Sequence, residues 1–339
     1  MKLGIDKLSL KNAAYISVGL FLILGRYPIS WLLSSRRKIR VPLDDRSSAG
    51  QLIACPSGNS LYVEFDGPEQ AQALVMIHGL NSSMQQWYAQ RAYFRDHYRL
   101  IFIDLPGHGR SLKAADLSID AMAADLAAVL ERLDLKNAVL YGHSLGGMVI
   151  MKYCIATQKS NIKAIIVQHS TYTHPFKTCQ FPAAMQFLQE PVIRPYLNFA
   201  KRNANVFRVL GRLNYYNGLS LFLYKYLFFK GKQSPAQLRH ISKISALCPP
   251  ETVAEGILKS LDFDVRSSLP QIEVPCLAIA AAGDRIVKPE AEEYIVEQVK
   301  NGTLLQVNGG HLSLIENSVE VNHGVERFLR HTLHPGPVH

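Results

Sequence analysis

Cysteine is scarce. The five thiols (Cys55, Cys154, Cys179, Cys248 and Cys276) are odd in number, widely spaced and free of any C-x-x-C pair. Neither a disulfide framework nor a zinc site is indicated, and a reducing compartment is the milder assumption. Apolar runs long enough to span a bilayer are missing outside the N-terminus, which excludes a polytopic membrane protein. Low-complexity tracts and internal repeats are absent too. With 48% of residues apolar and 19% charged, the 339-residue chain is neither disordered nor fibrous. It lacks a glycine-rich phosphate loop and a cluster of metal ligands, so no cofactor and no metal are expected. Its length suits roughly two domains, or one large α/β domain with an insertion, and allows a sizeable core.

Acidic residues are missing where basic ones gather. Between residues 170 and 250 a single acid, Glu190, stands against eleven Lys and Arg. Residues 1–46 carry nine basic and three acidic residues, and the remainder of the chain is mildly acidic. The net charge of +10 therefore sits in two segments, each a candidate surface for an anionic partner. The 170–250 segment also holds 14 of the 31 aromatic residues, which weighs on the choice of that partner. Aromatics mixed with Lys and Arg can stack on bases or sit at a membrane interface. The run Leu219–Phe229 is too apolar for a base-stacking platform. Lipid is therefore favoured and nucleic acid is not expected. The plainer alternative is a helical subdomain whose aromatics fill its own core.

The N-terminus reads as an anchor. Lys2, Lys7 and Lys11 precede the uncharged stretch Asn12–Gly25; Arg26 interrupts it, and Tyr27–Ser35 continues to the basic cluster Arg36, Arg37, Lys38 and Arg40. No small-x-small cleavage site follows, so removal as a signal peptide is not expected. If Arg26 snorkels, Asn12–Ser35 is long enough to span, with Tyr27 and Trp31 at an interface. An in-plane or re-entrant helix, or a soluble helix docked on the core, are the alternatives. The more positive flank follows the apolar stretch, which puts the remaining chain on the cytoplasmic side.

Beyond residue 47 the pattern alternates. Gln51–Cys55 and Leu61–Phe65 flank Ser57-Gly58-Asn59 as a hairpin. Short β-rich runs follow at Ala73–Ile77, Leu100–Ile103, Ala138–Tyr141, Ile162–Val167, Cys276–Ala280 and Leu304–Val307. Helical periodicity lies between them, best over Ser118–Leu133 with Ser118 as N-cap, and also at Glu290–Lys300 and Val319–Arg330. Alternating strand and helix predicts an α/β fold, a mostly parallel sheet covered on both faces. The alternation breaks after Val167 and resumes near Cys276, so the basic, aromatic segment is an insertion. The chain divides into 1–46 (anchor and basic linker), 47–169 (core, first part), 170–250 (helical cap insertion) and 251–339 (core, second part).

Chemistry concentrates in four places. The sharpest is Gly142-His143-Ser144-Leu145-Gly146-Gly147, between the strand Ala138–Tyr141 and the helical pattern Leu145–Thr157. In that strand–turn–helix setting G-x-S-x-G lifts a serine hydroxyl above the sheet. The turn strains the serine backbone, and strand and helix crowd the flanking positions down to glycine. The helix N-terminus favours negative charge developing near Ser144. Second, His78-Gly79-Leu80-Asn81 ends the strand Ala73–Ile77 and can aim an amide at an oxyanion; the expected donors are the amides of Leu80 and Leu145. Third, Asp284 follows the strand Cys276–Ala280 and suits a carboxylate that orients a histidine, ahead of its rivals Asp262 and Asp264. Fourth, Gly309-Gly310-His311 follows Leu304–Val307, and His311 is the candidate general base. The order Ser144, Asp284, His311 is a known triad order. His78 suits packing and hydrogen bonding better than catalysis; with Asn81, His143 and His169 it is a candidate to line the substrate pocket. His97, His174 and His240 have no supporting context, and His323, His331, His334 and His339 fall in or beyond the last helix. The loop Asp104–Ser111 reads as a structural turn.

Together these motifs resemble the α/β-hydrolase superfamily over roughly residues 51–330. The N-terminal apolar segment and the insertion look like its membrane-anchored monoacylglycerol-lipase-like members, in which a cap after the sixth strand admits an acyl chain from the bilayer. The resemblance implies a serine hydrolase that cleaves a carboxylic ester of a lipid-like acyl substrate through an acyl-enzyme. A serine at the nucleophile position rules out the epoxide hydrolase, dehalogenase and polyester-synthase readings. Acyltransferase relatives carry His-x4-Asp, whereas Glu316 stands at that distance here. C–C bond, amide or acyl-transfer chemistry with the same triad, or a non-catalytic membrane-bound scaffold, are the alternatives.

Overall fold

The computed structural model describes residues 5–34, 50–157 and 162–333. Lys2, the Arg36–Arg40 cluster, the boundary at residue 46, His334 and His339 lie outside the described residues, as do the side chains of Lys7 and Lys11. Two helices, α1 (Ile5–Leu24) and α2 (Arg26–Leu33), precede the sheet. The hairpin β1 (Gly50–Ala54) and β2 (Ser60–Asp66) comes next, then β3 (Ala73–Ile77), α3 (Tyr88–Phe94), β4 (Arg99–Ile103), α4 (Ile119–Arg132), β5 (Ala138–His143), α5 (Leu145–Thr157) and β6 (Ile162–Gln168). A helical insertion follows: α6 (Pro175–Thr178), α7 (Pro182–Leu188), α8 (Arg194–Arg202), α9 (Ala204–Tyr216), α10 (Leu219–Leu227) and α11 (Pro235–Leu247). The chain returns through α12 (Pro250–Ser260), β7 (Cys276–Ala281), α13 (Pro289–Gln298), β8 (Gly302–Val307), α14 (Ser313–Glu316) and α15 (Ser318–Leu333).

The eight strands form one sheet in the order β1-β2-β4-β3-β5-β6-β7-β8, parallel from β4 onward. Each expected strand is present with its ends within two residues. The period of two decides what each face buries: Val75 and Ile77 of β3 meet α4 and α5, whereas Leu74 and Met76 meet the layer that holds Phe94, Val325 and the insertion residues Leu221 and Leu238. Each fully buried aliphatic side chain contributes about 1.5–3 kcal/mol, so this two-sided layer is the main source of stability. Helix α4 starts where expected, because Ser118 Oγ accepts from the Ala121 amide at 3.2 Å. Helix α5 is apolar around most of its circumference, in keeping with its burial between the sheet and α4.

Helix α12 packs on α8 through Lys201–Glu255 (2.5 Å) and on α9 through Arg208–Glu251 (2.7 Å), so the helical unit continues beyond residue 250. Inside the insertion, α10 buries Leu221 and Tyr224 while Leu219, Phe222, Leu223, Tyr226 and Leu227 are exposed. Helix α9 likewise exposes Val206, Val209, Leu210 and Leu213. Both stripes recur at helical spacing, so each helix presents an apolar face outward.

The N-terminal segment differs from the continuous stretch expected over Asn12–Ser35. No single described helix is long and apolar enough to cross a membrane; α1 and α2 together reach that length and apolar character, as a pair bent by 61°. Pro28 accounts for the break: it has no amide to give Leu24, and its ring crowds that carbonyl four residues back. Gly25 fits the bend, where a Cβ would come within 2.3 Å of the Asn217 carbonyl oxygen. Arg26 turns toward the insertion. Its guanidinium lies over the rings of Tyr216 (4.8 Å) and Tyr215 (5.3 Å) of the insertion. Arg239 to Ser30 Oγ (2.5 Å) and Gln233 to the Leu33 carbonyl (3.0 Å) complete the docking of α2.

Candidate active site

The strands β3, β5, β7 and β8 deliver their C-terminal loops to one edge of the sheet. Between β5 and α5 the backbone of Ser144 is left-handed, φ 52°, a conformation that costs a non-glycine residue on the order of 1 kcal/mol or more. Close contacts enforce it. A Cβ on Gly142 would lie 2.5 Å from the Gly146 carbonyl, and one on Gly146 would lie 2.3 Å from the Ile77 carbonyl oxygen. The turn is strapped to the end of β6: the Ser144 amide donates to the Gln168 carbonyl (2.9 Å), and Ser170 Oγ donates to the Ser144 carbonyl (2.8 Å).

The loop after β3 crosses directly over this turn, since a Cβ on Gly79 would meet Ser144 Cβ at 3.0 Å. Two histidines staple the loop. His78 donates from Nδ1 to the Gly79 carbonyl (2.7 Å) and accepts from the Leu105 amide at Nε2 (3.0 Å). His108 donates to the Pro106 carbonyl (2.9 Å) and accepts from the Asn81 amide (3.3 Å). Leu80 is thus held between two fixed neighbours. Leu145 is the first residue of α5, where an amide has no intrahelical acceptor.

On the far side, Asp284 Oδ2 accepts from His311 Nδ1 at 2.8 Å, and Asp284 Oδ1 accepts from the amides of Ile286 (2.8 Å) and Val287 (3.0 Å). The two loops are themselves joined by the Gly283 amide and the Gly309 carbonyl at 3.1 Å. His143, next to Ser144, donates from Nε2 to the His311 carbonyl (2.9 Å), and the two rings lie 4.9 Å apart. The serine turn and the histidine loop therefore share one edge, and the carboxylate stands behind the ring. Asp264 belongs elsewhere. It pairs with Arg266 and Thr173, and the Arg266 hydrogen bond draws its carboxyl down to about 2. Asp262 is exposed.

Three of the four expected pocket residues turn inward. His78 is fully buried with both ring nitrogens engaged, so it offers nothing to a ligand. His143 is a strut between the serine turn and the His311 backbone. His169 is buried beneath Asp284, with its Nε2 2.6 Å from Ser313 Oγ. Each sits at a strand end where the next loop folds over it, and burial of that kind cannot be read from residue type. Asn81, partly exposed, donates to Tyr224 Oη of α10 at 3.2 Å and so ties the core to the insertion.

Glu316 joins the same two parts, and its position five residues after His311 was the only sequence signal for it. Its buried carboxylate accepts from the amides of Lys230 (3.0 Å), Lys232 (2.6 Å) and Gly310 (3.2 Å). Among the described residues no group of three His, Cys, Asp or Glu side chains could hold a metal ion.

Comparison with known proteins agrees with this fold. A family model described as the alpha/beta hydrolase fold matches residues 72–318. The chain is 25% identical to 3-oxoadipate enol-lactonase 2 of Acinetobacter baylyi over 270 residues, covering 79% of this chain and 92% of the relative. Among solved structures, a thermophilic esterase from Thermogutta terrifontis superposes with a TM-score of 0.69 at 22% identity, covering 84% of this chain and 98% of that one. A structure described as a membrane phospholipase A, a bacterial virulence factor, superposes with a TM-score of 0.66 at 15% identity, covering 98% of this chain and 100% of that one.

The buried rings fix a pH dependence. Burial pushes His78, His143 and His169 well below the ordinary 6.5 and brings His108 to about 4. As pH falls below about 6.5 the unfolded chain binds protons that these folded rings refuse, so stability is lost from there down to about pH 4. Asp104, raised by burial to about 6, acts the other way below pH 6, and Glu292, raised well above its usual range by burial, acts the other way as well, because the folded chain keeps their protons. Four rings outweigh two acids. The thermal unfolding midpoint is expected to fall between pH 7 and pH 5; a flat or rising midpoint would contradict neutral buried imidazoles.

Proposed function

This chain belongs to the α/β-hydrolase fold family, and we propose that it is a serine hydrolase cleaving a carboxylic ester of a lipid-like acyl substrate at a membrane surface. The observation that carries the chemistry is the buried Asp284–His311 pair, 2.8 Å apart, on the edge that also bears the strained Ser144 turn. In this reading Ser144 Oγ attacks the ester carbonyl and His311 Nε2 takes its proton. The amides of Leu80 and Leu145 receive the oxyanion, and Asp284 steadies the imidazolium. The same imidazolium then protonates the leaving alkoxide, which leaves an acyl group on Ser144. Water, deprotonated by His311, attacks that acyl carbonyl; the acid departs and Ser144 recovers its proton. Of the four side chains first considered for the pocket, Asn81 is the one kept as substrate-facing. Acyl transfer is the weaker alternative, because Glu316, at the position where acyltransferases carry Asp, commits both oxygens to backbone amides.

The lipid part of the proposal rests on surface chemistry. Exposed Tyr15, Ile16, Phe21, Ile23, Trp31 and Leu32 of α1 and α2 adjoin the outward apolar stripes of α9 and α10. Contiguous apolar surface beside Lys and Arg suits insertion below an anionic headgroup layer. A structure described as a membrane phospholipase A shares the fold along nearly the whole chain, which is in keeping with such a substrate. We place the catalytic domain on the cytoplasmic side, from the charge flanks of the apolar stretch.

Two outcomes are expected. Ser144→Ala lowers kcat for a p-nitrophenyl acyl ester by several orders of magnitude, on the order of 10⁴ or more, and wild-type activity in that variant would refute the nucleophile. In liposome flotation the full chain rises with the vesicles, more so with anionic lipid, and residues 47–339 rise less. If neither rises, both the anchor and the lipid-facing insertion are wrong.

A further inference from the structure

We propose that His169 is a second imidazole on the acid of the triad, a positioning residue that holds the Asp284 carboxylate in register for His311. The proposal rests on the triad reading above. Asp284 Oδ2, which accepts from His311 Nδ1, also lies 3.6 Å from His169 Nδ1. Nδ1 of His169 has no hydrogen-bond partner among the described residues, yet the ring is fully buried. An orphaned nitrogen in a dry site is costly unless it serves a charge nearby.

The tautomer follows from the chain of contacts behind the ring. Tyr141 Oη donates to Gln168 Oε1, which turns the amide so that its Nε2 donates to Ser313 Oγ at 2.9 Å. Ser313 then gives its own proton to His169 Nε2, 2.6 Å away. With Nε2 an acceptor and burial opposing a charged ring, the single proton sits on Nδ1 and faces the carboxylate. The reverse arrangement would set a lone pair against the carboxylate charge. At 3.6 Å the contact sets a dipole against a charge rather than forming a full hydrogen bond, and such contacts shorten when charge develops.

The backbone of His169 is built for this position. Its φ of 50° is left-handed, and its amide is fixed on the Ile279 carbonyl at 3.1 Å. A β-branched or bulky residue would pay for that conformation with no return, so something in the ring offsets the strain. Other titratable groups face the same site. His143 of β5 lies edge-on at 6.1 Å, His311 lies at 5.8 Å, and Glu292 of α13, whose carboxyl burial raises well above its usual range, accepts from the Ser170 amide. From the insertion, the Lys230 side chain crosses Gly283 next to Asp284. None of these supplies a second N–H to Asp284 Oδ2.

The test is the pH profile of kcat/KM for p-nitrophenyl butyrate with the full chain in detergent. His169→Gly accepts the left-handed backbone but removes the N–H, leaving Asp284 to hold the His311 imidazolium alone. The acid limb is expected to move to higher pH by about 0.5 unit, and the plateau to drop about ten-fold through looser positioning. His169→Asn keeps both the backbone preference and an N–H near the Nδ1 position; it should restore the wild-type limb. Ser313→Ala combined with Gln168→Leu, which removes both donors facing Nε2 (Ser313 Oγ at 2.6 Å and Gln168 Nε2 at 3.3 Å) and lets the tautomer reverse, should move the limb the same way by less. Identical limbs in all three variants and wild type would overturn the proposal, as would an Asn variant no better than Gly. A Gly variant that fails to fold leaves the decision to the Ser313→Ala, Gln168→Leu double variant, for which an unmoved limb overturns the proposal. The triad reading stands or falls separately, on the loss of turnover in Ser144→Ala.

Discussion

The backbone of one residue organises the site. Ser144 is held left-handed between a buried strand and a buried helix, and the glycines on either side are there because neighbouring backbone leaves no room for a Cβ. Once that turn is fixed, the Gly79 loop can cross within contact of the serine, the His143 ring can reach the His311 carbonyl, and Ser170 can strap the turn from β6. The strain of the turn is small beside the stabilisation from β5 and α5, both buried nearly throughout. The core therefore carries the turn, and the hydroxyl is presented without any adjustment when an ester arrives.

The insertion is part of the same machine rather than an ornament on it. Phe228 accepts from the Leu312 amide at 3.0 Å, Glu316 gathers the amides of Lys230 and Lys232, and Tyr224 meets Asn81. Five residues further on, Ser234 and Gln237 cap α11 while Gln233 reaches the end of α2. A short stretch of chain thus touches the N-terminal helices on one side and the histidine loop on the other. Positioning of His311 and docking of the apolar N-terminal pair share one support.

Much of this was readable from residue order. The alternation of β-rich runs and helical periodicity gave eight strands with ends correct to within two residues, because the central runs β3, β4, β5 and β7 are apolar on both faces and the outer ones are bounded by turn residues. Ser144, Asp284 and His311 stood out since each follows a strand directly and carries glycine beside it. What could not be read depends on neighbours far along the chain. The bend at Gly25 needs the Asn217 carbonyl as well as Pro28. The inward roles of His78, His143 and His169 follow from loops that close over them, and a histidine looks the same in sequence whether its ring is wet or dry. Glu316 showed only as a departure from a spacing, while its actual work is set by amides more than eighty residues earlier.

The central claim is that the Ser144 hydroxyl is the group that becomes acylated. Its most direct measurement is mass-spectrometric mapping of the adduct left by a fluorophosphonate on the full-length protein. One phosphonylated peptide is expected, bearing the modification on Ser144, and none when His311 is replaced by Ala. Modification at another residue, or an unreactive wild-type protein, would contradict it.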